Sequence, residues 1–166
     1  LHRAFGRGRR FLYEFEVYQV LLALGLNAPS QVYIPELEAF DPDSLKYIRT
    51  PEVVVKLVSP QITHKSDFGG VRVNLANSEH VRDAYDLMML RVQRRAPNAF
   101  IRGAYVEQMG PRGREMILGM TRDPQFGPML MFGLGGIFVE VMKDVTFYLA
   151  PITADEAMQM LKGTRS

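Results

Sequence analysis

Apolar and polar positions recur along this chain with a helical period in three stretches. Residues 11–24 carry apolar side chains every three or four positions, which predicts an amphipathic helix that ends at Gly25. Its predicted inward face consists of Phe11, Phe15, Tyr18, Leu21 and Leu22. The same spacing over residues 78–95 predicts a second helix with Ser78 as its cap, and a capping box at residues 153–156 opens a third.

Short runs rich in valine, isoleucine and aromatic residues predict strands between and after these helices. The predicted strands are residues 31–34, 53–58, 71–75, 100–109, 115–121, 129–132, 137–141 and 145–150. A Pro-Arg-Gly turn within residues 110–114 is expected to join two of them as a hairpin. The pattern as a whole predicts a mixed α/β fold that is rich in strands after residue 100.

The composition is that of a globular protein. The chain has 166 residues, of which 47% are hydrophobic, enough for one domain or two small subdomains with a proper core. The lack of cysteine excludes a disulfide framework and a thiolate metal site, and no apolar run is long enough to span a bilayer. The net charge is +2, and the arginine-rich residues 1–10 resemble a nucleic-acid arm or the end of a transit peptide, although a solvated, frayed terminus is the simpler interpretation. We therefore expect neither a nucleic-acid nor a membrane partner.

The segment after the predicted strand at residues 53–58 has the composition of a phosphate-handling loop. It contains His64, several hydrogen-bonding side chains and the pair Gly69-Gly70. Glycine lets the main chain approach a ligand closely, and exposed N–H groups beside a cation stabilise phosphate oxygens. An imidazole ring in such a loop can accept and pass on a phosphoryl group, which makes His64 the candidate catalytic residue. An ordinary surface histidine is the competing interpretation.

Three further positions carry candidate nucleotide contacts. Lys56 interrupts an apolar strand, either at a sheet edge with its amine in water or with an ammonium group that leaves the sheet to meet a phosphate. Glu107, Gln108 and Met109 end a strand before a turn, and such a segment is either an ordinary strand end or a hinge whose main chain reads adenine. Glu115 opens the next strand and is either merely exposed or accepts from a ribose or orients a lysine.

The run Gly133-Leu134-Gly135-Gly136 would weaken a sheet without a reason. It lacks the lysine and hydroxyl residue of a P-loop and the spacing of a dinucleotide fingerprint. The glycine run agrees with two interpretations. It is either a bulge or hairpin turn, or a place where the main chain closely approaches a ligand or a partner chain. The histidines and carboxylates are scattered, so the sequence predicts no metal site within the chain.

Two segments of the chain resemble a known family. Residues 54–71, which include Lys56 and His64, resemble the first nucleotide-binding segment of the ATP-grasp part of NDP-forming acyl-CoA synthetases, such as ADP-forming acetyl-CoA synthetase and its relative succinyl-CoA synthetase. Residues 121–151 resemble a second, long and specific segment of the same family. The resemblance implies an ATP-grasp fold, in which two α+β subdomains flank a nucleotide cleft. The implied parts are a basic terminus (1–10), a helix packing on the C-terminal subdomain (11–26), a first subdomain (27–104) and an incomplete second one (105–166).

The resemblance implies a role for each candidate residue. Lys56 matches the strand lysine that contacts the nucleotide phosphates, residues 107–109 match the adenine hinge, and Glu115 matches a glutamate of the nucleotide cleft. His64 matches the loop histidine that carries phosphate in ADP-forming acetyl-CoA synthetases. In these enzymes acyl-CoA and phosphate give an acyl phosphate. Its phosphoryl group passes to a histidine of the CoA-binding part, then to the ATP-grasp histidine, and then to ADP.

The resemblance also implies the partners of the reaction. ATP or ADP and Mg²⁺ are the expected cofactors, and the magnesium ligands are expected outside this chain, because the family places them beyond the equivalent of Arg165. A CoA-binding domain or subunit is the expected partner, through which acyl-CoA, CoA and phosphate enter. We also expect an oligomer, a cytoplasmic location, and no activity from this fragment alone.

Two other functions remain open from the sequence. The same ATP-grasp region occurs in protein acetyltransferases, where it is regulatory and binds nucleotide without catalysis. The chain could also be an α/β interaction domain with a vestigial site. His64 favours the enzyme, because a purely regulatory module has no chemical need for that imidazole.

Overall fold

The computed structural model describes residues 11–136 and 144–164, which belong to two compact units, one up to Gly110 and one from Pro111. The first unit contains α1 (Glu14–Ala23), β1 (Gln31–Ile34), two short 3₁₀ helices (Leu37–Ala39 and Pro42–Tyr47), β2 (Val53–Val58), β3 (Val71–Leu75), α2 (Ser78–Arg95) and β4 (Gly103–Gln108). The second unit contains β5 (Met116–Asp123), β6 (Gly127–Leu134), β7 (Val145–Leu149) and α3 (Ala154–Lys162). The predicted α/β class is confirmed.

The first unit is built on a four-stranded sheet in the order β1-β4-β2-β3, with every neighbouring pair antiparallel. Helix α2 covers one face of this sheet. The core on that side includes Val55, Leu57, Val81, Met88, Val92 and Val106, none of which has measurable exposure. Because successive strand side chains point to opposite faces, Lys56 lies on the face away from α2, with Tyr105 directly across from it in β4. Alternate side chains of β2 thus pack into the core on one face of the sheet, and the charged Lys56 lies on the opposite face.

The second unit is a three-stranded antiparallel sheet in the order β5-β6-β7 with α3 beside it. The predicted capping box is confirmed, since the Thr153 hydroxyl accepts from the Glu156 N–H while the Glu156 carboxylate accepts from the Thr153 N–H. Large apolar side chains stay exposed on its strands, among them Leu118 at 72% and Met120 at 69%.

Helix α1 is shorter and less buried than its periodicity predicts. It begins at Glu14 rather than at residue 11, and of the predicted inward face Phe11 and Leu22 are 44% and 57% exposed. None of its side chains, all of which the structure describes, is fully buried. Gly25 follows with φ +78°, as the predicted left-handed stop requires. The cap of α2 is Asn77, whose side chain accepts from the His80 N–H, so the prediction of Ser78 was one residue late.

The predicted hairpin at residues 110–114 is wrong. The strand before this turn, β4, pairs with β1 and β2, and the strand after it, β5, pairs with β6. Turn residues favour a reversal of the chain, but partner strands elsewhere decide the pairing. The turn therefore connects the two units instead of two neighbouring strands.

The compact units divide the chain later than the predicted subdomains do. A boundary after residue 104 would cut β4, the strand that pairs with both β1 and β2, and the units instead divide after Gly110. The described contacts of α1 in the cluster below are with the first unit, whereas the family resemblance implied packing on the second. The subdomain limits stay a prediction. The predicted strand at residues 137–141 and the terminus at residues 1–10 lie outside the described residues.

Candidate functional site

Four charged side chains meet on the sheet face that α2 leaves open. The Lys56 ammonium lies 3.0 Å from Glu14 Oε1 and 3.0 Å from a carboxylate oxygen of Glu107. Lys65, in the loop after β2, donates to the other oxygen of Glu14 at 2.6 Å. Glu107 comes from the central strand β4, and its side chain is only 4% exposed, whereas the other three are between 25% and 29% exposed. These four residues are called the lysine–glutamate cluster below.

The edge interpretation of Lys56 is wrong. Its strand β2 lies between β4 and β3 and has a partner on each side. The ammonium group does leave the sheet, as the second interpretation requires, but it meets two carboxylates in this structure. The cost of placing a lysine in a buried strand is thereby offset by charge pairing.

The hydroxyl of Tyr18 joins the two carboxylates of the cluster. It lies 2.9 Å from Glu14 Oε1 and 2.9 Å from Glu107 Oε1 and has one proton to donate to either. Burial and the two neighbouring negative charges raise the pKa of this phenol well above its usual 10.0. Tyr18 therefore stays protonated and acts as a fixed donor between the carboxylates.

The charges of the cluster stabilise one another. Burial alone would raise the pKa of the Glu14 carboxyl, but hydrogen bonds and charge attraction from Lys65 and Lys56 outweigh it and lower this pKa to about 2. Burial alone would lower the pKa of Lys56, but Glu14 and Glu107 outweigh it and raise this pKa above 10.5. Both groups are therefore ionised throughout the physiological pH range.

The loop that carries His64 is a tight turn closed by main-chain hydrogen bonds. The Gly70 N–H donates to Lys65 O at 2.7 Å, the Gly69 N–H donates to Ser66 O, and Gly69 has φ +73°. A Cβ on Gly70 would lie 3.1 Å from both Leu57 Cβ and Lys65 O, so the double glycine here allows the loop to pack against β2. His64 is exposed within this turn, and its backbone carbonyl accepts from the Asp67 N–H.

A cavity of about 350 Å³ lies beside the His64 loop. Its lining comprises residues 11–14 before and at the start of α1, residues 57–60 at the end of β2, and Ile62, Thr63, Lys65 and Tyr105. His64 itself is not part of the lining, although the residues on both sides of it are. The cavity is therefore an apolar hollow that ends at the charged cluster, within reach of the loop.

In the predicted adenine hinge, residues 107–109, the first two side chains make contacts within the first unit. The carboxylate of Glu107 belongs to the lysine–glutamate cluster. The Gln108 N–H donates to Ser30 O at 2.9 Å, and its side-chain oxygen accepts from the Ser30 N–H. Met109 follows the end of β4 and is half-buried. The use of residues 107–109 as a hinge stays a prediction.

Glu115 lies in the second unit, exposed and one residue before β5. Its main-chain oxygen accepts from the Gly135 N–H at 2.7 Å. A Cβ on Gly135 would approach Glu115 to 3.0 Å, and one on Gly133 would lie 2.4 Å from Asp144 O. These glycines thus allow chain segments of the second unit to approach each other closely, and this close approach explains the glycine-rich run. A ligand role for Glu115 stays a prediction.

Within residues 11–136 and 144–164, no group of three or more histidine, cysteine, aspartate or glutamate side chains could hold a metal ion. Among the helices of the described ranges, none combines the length and apolar character needed to cross a membrane.

Sequence reasoning missed Glu14 and Tyr18 as site residues. Both lie on α1 at a spacing of four, and the periodicity places Tyr18 on an apolar face. The available signal was a carboxylate beside the inward face of a helix, four residues before a tyrosine. That signal is weak, because the partners of Glu14 are 42 and 51 residues away along the chain.

Comparison with protein families assigns the fold. Residues 3–166 match the sequence model of the ATP-grasp domain. The chain belongs to the ATP-grasp family. Both the predicted fold and the resemblance noted in the sequence are confirmed.

Several curated relatives of this ATP-grasp chain are ADP-forming CoA ligases. Over 114 residues it is 54% identical to the beta subunit of acetate–CoA ligase (ADP-forming) I of Pyrococcus furiosus. These aligned residues cover 69% of this chain and 49% of that subunit. It is 41% identical to the beta subunit of isoenzyme II of the same organism over 97% of this chain and 67% of that one. The 4-hydroxybutyrate–CoA ligase (ADP-forming) of Nitrosopumilus maritimus is 43% identical over 93% of this chain and 22% of its own length. The chain thus spans about half the length of the first of these relatives, about two thirds of the second and about a fifth of the third.

Solved structures of acetyl-coenzyme A synthetase 1 from Ca. Korarchaeum cryptofilum are similar over nearly the whole chain. A complex with coenzyme A and Ca-AMPCP is 42% identical with a TM-score of 0.89, over 98% of this chain and 70% of that one. A complex with coenzyme A and Mg-AMPPCP, described as having its phosphohistidine segment pointing towards the nucleotide-binding site, has a TM-score of 0.76 at 37% identity, over 98% of this chain and 68% of that one.

Proposed function

We propose that this chain is the nucleotide-binding, phosphoryl-transfer module of an ADP-forming acyl-CoA synthetase. The complete enzyme would interconvert acyl-CoA, ADP and phosphate with the free acid, CoA and ATP. His64 would carry the phosphoryl group, Lys56 would contact the nucleotide phosphates, residues 107–109 would hold adenine, and Glu115 would lie in the nucleotide cleft.

One observation carries this proposal. Two ammonium groups, from Lys56 and Lys65, reach the same carboxylate at 3.0 Å and 2.6 Å in a partly buried site. Lys65 is the residue next to His64. Paired cations in a site shielded from water stabilise the negative oxygens of a moving phosphoryl group. The exposed position of His64 suits a group that must accept phosphate from one partner and give it to another.

The chemistry balances as two in-line transfers. In the direction of ATP synthesis, a neutral ring nitrogen of His64 attacks the phosphorus atom of the donor phosphohistidine, a P–N bond forms, and the donor ring leaves. An oxygen of the ADP β-phosphate then attacks the same phosphorus atom, the P–N bond to His64 breaks, and the imidazole returns to its neutral form. Lys56 and Lys65 neutralise charge on the phosphate oxygens during the second transfer.

Several parts of the proposal lie outside this chain. A CoA-binding domain or subunit would supply the donor histidine and the sites for acyl-CoA, CoA and phosphate. Magnesium would neutralise nucleotide charge through ligands outside the described residues. The oligomeric assembly and the cytoplasmic location stay predictions.

Phosphate labelling of the complete protein tests the function. After incubation with γ-³²P-ATP and Mg²⁺, we expect an acid-labile, alkali-stable label on the peptide that contains His64. The variant His64→Ala is expected to lose the label and all turnover while it still binds ATP. The matched control is His80→Ala, because His80 is an exposed histidine of α2 in the same unit.

The outcomes separate the competing functions. Wild-type turnover in His64→Ala would contradict the carrier role of this residue. Nucleotide binding with no label in the wild-type protein would favour the regulatory module of an acetyltransferase instead. A label that survives in His64→Ala but vanishes in His80→Ala would reassign the carrier.

A further inference from the structure

We propose that Glu14 is a positioning residue of the phosphate site, which it fills in the absence of nucleotide and leaves when a nucleotide phosphate binds. This inference rests on the proposed nucleotide-binding function. Neither the family resemblance nor the relatives assign a role to this helix residue.

The geometry of Glu14 resembles that of a bound phosphate. Oε1 lies 3.0 Å from the Lys56 ammonium, and Oε2 lies 2.6 Å from the Lys65 ammonium. One anion thus bridges two cations, each through a separate oxygen atom. A phosphate group offers oxygen atoms with a similar spread and a larger charge, so the same two ammonium groups can receive it.

The charge balance requires an exchange of anions. The cluster holds two ammonium groups and two carboxylates, Lys56 and Lys65 with Glu14 and Glu107, and its net charge is zero. A phosphate placed beside both carboxylates would meet like charges within a few ångströms and gain little from the lysines. One carboxylate must leave before the lysines can act on a nucleotide.

Glu14 is the carboxylate that can leave. The Glu107 side chain is 4% exposed on the central strand β4, where both neighbours of the strand hold its main chain. The Glu14 side chain is 29% exposed and belongs to α1, none of whose residues is fully buried. A rotation of one side chain, or a small shift of the helix, moves Glu14 into water, and the incoming phosphate takes over its pairing with the two ammonium groups.

The exchange connects phosphate binding to the His64 loop. Lys65 O accepts from the Gly70 N–H, which closes the turn that carries His64. While Glu14 holds the Lys65 side chain at 2.6 Å, the loop is tied to α1. When a phosphate displaces Glu14, the Lys65 ammonium pairs with the nucleotide instead of with the helix. The imidazole ring of His64, the residue before Lys65, is then oriented by the phosphate group with which it reacts.

Binding measurements on the complete protein test this role. Calorimetric titrations with Mg-ATP, with inorganic tripolyphosphate and with adenosine compare wild type with Glu14→Gln, which keeps the shape of the side chain and removes its charge. We expect Glu14→Gln to bind ATP and tripolyphosphate about tenfold more tightly and adenosine with unchanged affinity. A purely structural effect would change all three ligands together.

Two more variants make the test decisive. Glu79→Gln removes the same charge from an exposed site in the first turn of α2, and it is expected to bind like wild type. Glu14→Asp keeps the charge but is one methylene too short to reach both ammonium groups. It is expected to tighten phosphate binding about threefold, and it replaces Glu14→Gln if that variant does not fold.

The results distinguish this inference from the proposed function. Wild-type protein that binds no ATP would overturn both. Wild-type protein that binds ATP, with equal or weaker binding in the Glu14 variants, would overturn only the role of Glu14.

Discussion

Lys56 pairs with two carboxylates in the structure, and its proposed contact with nucleotide phosphates would use the same ammonium group. Its ammonium group is shared between Glu14 and the nearly inaccessible Glu107, and the Tyr18 hydroxyl lies within hydrogen-bond distance of both carboxylates. Breaking such a pair leaves the remaining charge without a counter-ion in a poorly solvated place, which costs more than the pair itself contributed. The structural effect of this residue must therefore be separated from its proposed effect on nucleotide binding.

The variant Lys56→Met separates the two effects. We expect ATP to bind at least tenfold more weakly, because the proposed function makes this ammonium one of two cations that contact the phosphates. We also expect the free energy of unfolding to fall by about 2–3 kcal/mol, because Glu107 loses its cationic partner. Calorimetry gives the first quantity and urea unfolding the second.

The control for this variant is Lys46→Met. Lys46 is an exposed lysine whose ammonium lies 5.3 Å from the centroid of the Tyr47 ring. Its replacement is expected to change stability by less than about 0.5 kcal/mol and to leave ATP affinity unchanged. Equal ATP affinity in Lys56→Met and Lys46→Met would remove the phosphate role of Lys56.

At the scale of elements, α1 is attached to the sheet mainly by polar contacts. Its Glu14 and Tyr18 reach the cluster, and the Phe15 ring lies 5.3 Å from the Tyr105 ring. A helix with this little buried apolar surface gains stability chiefly from its charges and one aromatic contact. Its attachment should consequently depend on pH.

The depressed pKa of Glu14 predicts the direction of that dependence. With a folded-state pKa of about 2 against its ordinary 4.5, the carboxylate contributes stability that is fully present above pH 4.5 and is lost as the pH falls towards 2. Because the group is partly solvated, we expect a loss of about 1–2 kcal/mol over this window. Urea unfolding at pH 6, 4 and 3, followed on wild type and Glu14→Gln, measures it.

The comparison between the two proteins isolates this contribution from the rest of the acid titration. Glu14→Gln should be less stable than wild type at pH 6, and the difference should shrink towards pH 2. The same control, Glu79→Gln, should lose stability in parallel with wild type. A constant difference between Glu14→Gln and wild type at all pH values would show that the carboxylate pairing contributes nothing.

At the scale of the whole molecule, the chain is organised as two units joined by an exposed connection. Gly110, Pro111, Arg112, Gly113, Arg114 and Glu115 are all exposed. Neither Gly110 nor Gly113 has an atom within 4 Å of the position that a Cβ would take. Exposed, open connections of this kind are preferred sites of proteolytic cleavage.

Limited trypsin digestion should therefore begin at this connection. Within the described ranges, we expect the first cleavage after Arg112 or Arg114, because this connection presents two arginines in one continuously exposed stretch with open space around its glycines. Mass spectrometry of the earliest fragments identifies the site. The double variant Arg112→Gln, Arg114→Gln should delay cleavage, and a first cut inside β2 or α2 would contradict the division into units.

The sequence predicted helices and strands accurately where the apolar residues follow a single helical or strand pattern. The limits of β1, β2, β3 and α2 match the prediction, because a run of β-branched residues or a spacing of three and four is a property of neighbouring residues. The motif around His64 and the later glycine-rich segment were specific enough to indicate the ATP-grasp family, which the comparisons confirm. The roles of Lys56, His64, residues 107–109 and Glu115 remain predictions.

Contacts between distant segments decided the remainder. The partners of β4 and β5, the division after Gly110 and the anions around Lys56 all depend on which surfaces meet in three dimensions. Local sequence contains the periods that make helices and strands, but the pairing of Glu14 with Lys56 and Lys65 joins residues 42 and 51 positions apart. Only the packed chain brings those charges within 3 Å of each other, where desolvation makes their pairing strong.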